Sequence, residues 1–244
     1  LTHDAITADF RIAQRKRGHR YSLDDVATAY QATEATPGDV SHYLDLGCGI
    51  GSVLLMVAWR LPSLKLFGVE AQPESIALAR RNVAHNALTA RAELIAGDLR
   101  EVTERWPHHK CQLITGTPPY LPLGTALASP DPQRAAARLE LRGGVEDYLA
   151  AAARVLAPAG QVVVCSDGRK PERVEIGAER AGLVPRRRRD VYARSDAAAP
   201  LFSVWTLGFD AGAELEHVRL TIRDVDGCKT ADAKAMRAHF GLLG

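Results

Sequence analysis

The sequence lacks a cysteine framework. Its four cysteines, Cys48, Cys111, Cys165 and Cys228, lie far apart and form no Cys-x-x-Cys pair. A disulfide-stapled fold would need them denser, so a reducing, cytosolic setting is expected. It also lacks an excess of either charge: 31 Lys and Arg stand against 29 Asp and Glu, a net of +2. That excludes a uniformly basic nucleic-acid binder but leaves room for local patches. Long apolar runs are missing as well. The longest uncharged stretch, 111–130, is interrupted by Pro118, Pro119, Pro122, Gly116 and Gly124, too often for a membrane helix. No basic-then-apolar leader follows Leu1, and because the first residue is not Met the natural start is expected upstream. Zinc-ligand spacing, a serine nucleophile elbow and a phosphate loop are all absent. His108-His109 has no third ligand nearby and reads as solvated, as does His85, so no metal is expected.

What is present is ordinary globular material: 46% hydrophobic and 25% charged over 244 residues, enough for one large domain or two small ones. Apolar runs of strand length at 40–46, 64–70, 92–96, 111–115, 161–166 and 201–209 alternate with helical segments at 52–60, 73–86, 145–156 and 171–181. Most of the runs are short and apolar throughout, as strands covered on both faces are. Pro73 opens one helix, and Pro158 with Gly160 closes another. The alternation predicts an α/β, doubly wound fold with a parallel sheet. Residues 1–39 form a basic lead-in with a helix at 23–33, 40–211 a core, and 212–244 a strand at 215–223, a turn at Asp226-Gly227 and a helix at 231–240. A Pro-, Gly- and Ala-rich insert, 121–144, follows the fourth core strand; loops of that length are usually functional.

Chemistry concentrates at the strand ends. Asp45-Leu46-Gly47-Cys48-Gly49-Ile50-Gly51 joins the first core strand to a helix, and its glycines permit a tight turn and close approach to a ligand. A dinucleotide fingerprint needs glycine where Ser52 stands. Asp45 would repel a pyrophosphate but suits a cationic ligand bearing an amino group. Glu70, 19 residues after Gly51, ends the second strand, where a carboxylate accepts from both ribose hydroxyls. Asp98 follows the third strand, where an acid accepts from an adenine amino group. Residues 40–166 resemble the class I S-adenosylmethionine-dependent methyltransferases. The resemblance implies S-adenosyl-L-methionine as cofactor, Asp45, Gly47, Gly49 and Gly51 around its methionine part, Glu70 on the ribose and Asp98 on the adenine. It also implies a seven-stranded Rossmann-like sheet with short extensions, whose last strand (201–209) is antiparallel.

Thr117-Pro118-Pro119-Tyr120 after the fourth strand resembles the (Asn/Asp/Ser)-Pro-Pro-(Tyr/Phe) motif of methyltransferases acting on planar exocyclic nitrogens: adenine, guanine or the glutamine amide. Such a nitrogen is a poor nucleophile because its lone pair is delocalised, and acceptors aimed at its two N–H groups favour the form that attacks. The resemblance gives that role to Thr117 and the Pro118 carbonyl, sets Thr117 against the cofactor, and makes Pro119 and Tyr120 the surface for the target base. Thr117 departs from the motif, since a hydroxyl is a shorter and weaker acceptor than a carboxamide.

The lead-in Arg17-Gly18-His19-Arg20-Tyr21-Ser22-Leu23-Asp24 is similar to that of bacterial tRNA adenine-N(6) methyltransferases. Arg11, Arg15, Lys16, Arg17 and Arg20 fall within ten residues containing no acid, and Arg186 to Arg189 form a second run. Either run could neutralise phosphates. The expectation is methyl transfer to adenine N(6) in tRNA or other structured RNA, in the cytoplasm, with Arg15, Lys16, Arg17 and Arg20 on the substrate. Protein-glutamine methylation of the release-factor type remains an alternative, although those enzymes carry a separate N-terminal helical domain and 1–39 is too short for one. A small-molecule methyltransferase and a non-catalytic cofactor-binding module also remain. The insert is expected to cover the acceptor pocket, with Arg138 and Arg142 within reach of phosphates and Glu140 opposing them.

Overall fold

Apolar residues occupy both parities of the central strands, so both faces of the sheet are covered. Val162 and Val164 pack into one core with Leu44 and Trp205, while Val163 and Cys165 pack into the other with Tyr43 and Leu113. The computed structural model describes residues 1–34, 40–106, 110–120, 130–210 and 214–242; the expectations for His108, His109 and 121–129 lie outside the described residues. The first elements are β1 (Thr2–Ala5), β2 (Arg11–Gln14), α1 (Leu23–Glu34), β3 (His42–Leu46), α2 (Ser52–Arg60), β4 (Lys65–Glu70), α3 (Pro73–His85) and β5 (Ala92–Ala96). Then come α4 (Val102–Arg105), β6 (Cys111–Gly116), α5 (Pro132–Arg138), α6 (Val145–Val155), β7 (Leu156–Ser166), α7 (Pro171–Ala181), β8 (Val184–Arg194), β9 (Phe202–Gly208), β10 (Glu216–Arg223) and α8 (Ala231–His239).

The main sheet runs β10-β8-β9-β7-β6-β3-β4-β5. Strands β3 to β7 are parallel, and β9 is antiparallel to both β7 and β8. The six core strands and the strand expected at 215–223, here β10, are there; β8 is the one not expected, and it brings the sheet to eight strands with β10 parallel to it. β3 pairs with β4 on one side and β6 on the other, so the order reverses between β3 and β6. In sheets of this kind ligands bind beyond the carboxyl ends of the strands at that reversal.

The second arginine run is not a free patch. It lies in β8, between β9 and β10, and its charges are spent inside the protein. Arg187 pairs with Glu34 and Glu216, Arg188 with Asp190, Arg186 with Asp210, and Arg189, 4% exposed, with Glu34. The guanidiniums of Arg188 and Arg189 lie over the rings of Trp205 and Tyr30. Long stems covering apolar surface do the work of apolar residues there.

The lead-in opens as a hairpin, β1 antiparallel to β2, and α3 acts as a third partner for β2. The buried Asn82 accepts from Ala13 N at 2.7 Å and donates to Ala13 O at 3.1 Å and Ile50 O at 2.9 Å. Asn86 repeats the pattern on Arg11, accepting from its N at 2.9 Å and donating to its O at 2.8 Å. Two carboxamides one helical turn apart thus mimic a strand edge. At the start of helix α1, Ser22 N donates to Asp25 Oδ2 at 3.0 Å and the Ser22 hydroxyl donates to Asp24 Oδ1. Among the described residues no helix is long and apolar enough to cross a membrane, and no group of three His, Cys, Asp or Glu is placed to hold a metal.

Candidate active site

The turn after β3 uses its glycines as the backbone demands: Gly47, Gly49 and Gly51 have φ of +60°, +55° and +85°, a region costly for any residue with a Cβ. One carboxyl then fixes the turn. Glu70, 7% exposed at the end of β4, accepts from Gly49 N at 3.0 Å through Oε2 and from Gln72 N at 2.7 Å through Oε1. Gln72 is the residue before α3, so the same side chain sets the glycine turn and the entry to the next helix. Burial holds the Glu70 carboxyl above its usual range. After β5, Asp98 accepts from Arg100 N and Nε at 2.9 Å and from Nη2 at 2.6 Å. The Arg100 fork keeps it below the usual carboxylate range.

Two clefts open over these strand ends. The first, about 860 Å³ with its mouth, is lined among others by Gly47, Gly49, Glu70, Asp98, Thr117 and Pro119. The second, about 1450 Å³, is lined among others by Lys16, Arg17, Arg20, Thr117, Pro118 and Tyr120. They share His19, Asp25, Thr117 and Ala137. The geometry therefore brings the glycine turn, both strand-end acids and the Pro-Pro segment to one place, with Pro119 on the first cleft and Pro118 on the second.

Asp45 and Gly51 are not among the described lining residues. Gly51 caps α2, and Asp45, 2% exposed, sits behind the turn and accepts from Thr115 Oγ1 at 2.7 Å. Thr115 Oγ1 lies 2.6 Å from the Tyr43 hydroxyl, which donates to it when the threonine proton is on Asp45. Burial raises the Asp45 carboxyl to about 7. An acid held protonated in the fold is already ionised in the unfolded chain above pH ~4, so it removes stability as pH rises from there to its folded value. Wild type should therefore lose stability between pH 5 and 7 in urea unfolding. Asp45→Asn, which keeps an acceptor for Thr115, should flatten that slope by roughly 2 kcal/mol. Parallel pH curves for the two proteins would remove Asp45 as the cause.

The basic lead-in divides. Arg15 is committed, pairing with Glu74 at 2.8 Å and Asp131 at 3.0 Å, and Arg20 pairs with Asp4 at 3.1 Å. Arg11 spends its guanidinium on backbone carbonyls of 7–10. Lys16 and Arg17 are exposed and have no ion pair among the described residues. Arg134 of α5, exposed and on the second cleft, joins them. The described part of the insert lies over both clefts: Arg134 and Ala137 line the second, Ala137, Leu139, Leu141 and Arg142 the first. The buried Gln133 ties it down, accepting from His19 N at 3.2 Å and donating to Ser75 Oγ at 3.2 Å. Glu140 faces away from phosphate work, paired with Arg173 at 2.5 Å.

Tyr120 donates its hydroxyl to Asp24 Oδ2 and has Cys165 Sγ at 3.4 Å, which pins its ring as a wall of the second cleft. Three lining residues carry no signal in the sequence. Tyr148 reaches the first cleft from α6, its hydroxyl against the position a Gly47 Cβ would take. Arg134 comes from the insert, and Asp25 is the third residue of α1. Burial, then the neighbouring Asp24, raises the Asp25 carboxyl to about 8.

Residues 24–129 match the model of the methyltransferase small domain family. A tRNA1(Val) (adenine(37)-N6)-methyltransferase of Porphyromonas gingivalis is 30% identical over 158 residues, 64% of this chain and 61% of that relative. A release factor glutamine methyltransferase of Caulobacter vibrioides is 37% identical over 116 residues, 47% of this chain and 38% of that relative. The chain thus spans about three fifths or less of the curated relatives it matches. Among solved structures, a predicted O-methyltransferase from Agrobacterium tumefaciens superposes with a TM-score of 0.67 at 18% identity, covering 91% of this chain and 98% of that one, a likeness of fold.

Proposed function

We propose, from the premise that residues 24–129 are a methyltransferase small domain on a class I methyltransferase fold, that this chain methylates a planar exocyclic nitrogen, adenine N(6) of a tRNA or other structured RNA. The observation that carries the reading is that Thr117 lines both clefts, so a donor in one and a base in the other would meet at the segment after β6.

The first cleft suits S-adenosylmethionine. A Cβ at Gly49 would meet nothing within 4 Å, so the glycine turn leaves open space beside its backbone, and the acids around it match a cation. When bound, that cofactor supplies an electrophilic methyl group. Glu70 accepts from its ribose hydroxyls with the oxygen lone pairs not used by Gly49 and Gln72, and Asp98 accepts from its adenine. In the second cleft Thr117 Oγ1 and the Pro118 carbonyl accept from the target amino group, while the pinned ring of Tyr120 stacks on the base. Lys16, Arg17 and Arg134 neutralise phosphates, and the ion-paired Arg15 and Arg20 position the lead-in. Holding both partners in line accounts for much of the acceleration. An RNA substrate of this kind sets the chain in the cytoplasm.

The test presents labelled S-adenosylmethionine with tRNA, rRNA, duplex DNA and cell protein in parallel, followed by digestion of the labelled pool. Label in N(6)-methyladenosine is expected; label confined to glutamine in protein replaces this reading with the release-factor type. Lys16→Glu/Arg17→Glu should weaken RNA binding and lower its log–log salt slope by about 1–2. An unchanged slope would take the lead-in off the RNA.

A further inference from the structure

Thr117 leaves a deficit. The nitrogen to be methylated carries two N–H groups; the Pro118 carbonyl takes one, and for the other a short hydroxyl stands where related motifs carry a longer, stronger acceptor. Four residues line both clefts: Thr117 is the residue in deficit, Ala137 has no polar side chain, and of His19 and Asp25 only Asp25 carries a carboxyl, which has two acceptor oxygens. Asp25 is 5% exposed and belongs to a rigid element. It is fixed at the start of α1, with Oδ2 taking the Ser22 N–H at 3.0 Å, and Ser52 of α2 lies beside its carboxyl. The end of the Pro-Pro segment is fastened to the same turn of α1, because the Tyr120 hydroxyl donates to Asp24. Thr117 and Asp25 are therefore held together by Tyr120, three residues from one and bonded next door to the other. We propose that Asp25 is a second side-chain acceptor, beside Thr117, for the N–H group that the Pro118 carbonyl does not take, and that the Asp25 carboxyl makes up for the short reach of Thr117.

This rests on the planar-nitrogen reading above. A preorganised acceptor in a water-poor site strengthens as the nitrogen pyramidalises and its N–H groups gain positive charge. The carboxyls of Asp24 and Asp45 lie close enough to oppose its charge. A polarised N–H group of the target supplies what Asp25 otherwise lacks, a donor from the cleft side.

The experiment uses the full chain as wild type, Asp25→Ala, Asp25→Asn, Thr117→Asn and Asp25→Ala/Thr117→Asn. S-adenosylhomocysteine affinity is measured first. The preference of the S-adenosylhomocysteine-saturated protein for adenosine over purine riboside, which lacks the amino group, follows, and then methyl transfer. Asp25→Ala should lose the adenosine preference and ~10–100-fold of transfer, with S-adenosylhomocysteine affinity unchanged within about threefold. Asp25→Asn keeps its one oxygen for the helix cap and turns an NH₂ to the cleft, so it should lose the adenosine preference and transfer as Asp25→Ala does, with the helix start intact. Adding Thr117→Asn to Asp25→Ala should restore transfer, which repair of a loosened helix would not do. Asp25→Ala that weakens S-adenosylhomocysteine tenfold or more while keeping the adenosine preference would overturn the proposal and assign Asp25 to the donor. Should label go only to glutamine, the RNA reading falls, and Asp25 is judged by the same loss and rescue on that amide. No loss there overturns it.

Discussion

Gly47→Ala is expected to destabilise the chain by about 3 kcal/mol or more and to abolish S-adenosylhomocysteine binding, whereas Gly49→Ala should abolish binding at a cost of only about 1–2 kcal/mol. Both positions have left-handed φ, +60° and +55°, and share the backbone penalty of a Cβ there. They differ in what surrounds them. A Cβ at Gly47 would overlap the Tyr148 hydroxyl and lie 3.0 Å from its Cζ, and Tyr148 is a buried ring packed between the turn and Gly116. That ring cannot withdraw without opening the core beneath α6. At Gly49 a Cβ would meet nothing within 4 Å, because its space is the cleft itself. Urea unfolding and calorimetric titration with S-adenosylhomocysteine separate the two effects. Equal losses of stability would show that backbone conformation alone sets the cost and that Tyr148 gives way.

Glu70→Gln should weaken S-adenosylhomocysteine binding ~100-fold although it differs from wild type by one atom. Both carboxyl oxygens accept backbone N–H groups, from Gly49 and from Gln72. A carboxamide has one oxygen, so in either orientation its NH₂ points at a backbone donor and leaves a buried N–H unmatched, a cost of about 1–3 kcal/mol before any ligand arrives. The glycine turn or the entry of α3 must then shift, and both border the first cleft. The ribose hydroxyls also lose an anionic acceptor. Affinity within threefold of wild type would show that Glu70 acts on neither the turn nor the ligand.

The sequence told most where one residue type does one job. Strands β3 to β7 were legible because Val, Leu and Ile fill both parities, and the glycine turn because three glycines in seven residues have few other uses. The strand β8 was hidden by its own composition. Four consecutive arginines read as a solvated or phosphate-binding run, and only the packing of Glu34, Asp190, Asp210 and Glu216 around them shows why they are in a sheet. The hairpin β1–β2 escaped because its third partner is a pair of asparagines on a helix, a hydrogen-bonding edge with no hydrophobic period. The candidate site divides the same way. Glu70, Asp98 and Thr117 follow strands and could be found by counting. Asp25, Tyr148 and Arg134 arrive from a helix start, a helix face and an insert, and only the tertiary fold brings them together. Charge was the least legible property, since Arg15 and Lys16 are neighbours in the chain yet one is neutralised twice and the other is exposed.

Asn82 bears on where this domain can be cut. The family match begins at residue 24, downstream of the hairpin. Asn82, however, spends one side chain on both backbone groups of Ala13 and on the carbonyl of Ile50, inside the glycine turn. A fragment trimmed to the matched region would strand that carboxamide in the core, two of its three bonds gone, one bond away from the turn. The hairpin is thus a splint for the glycine turn, and a transplant of the domain into another protein has to carry residues 11–14 along with the strands that define it.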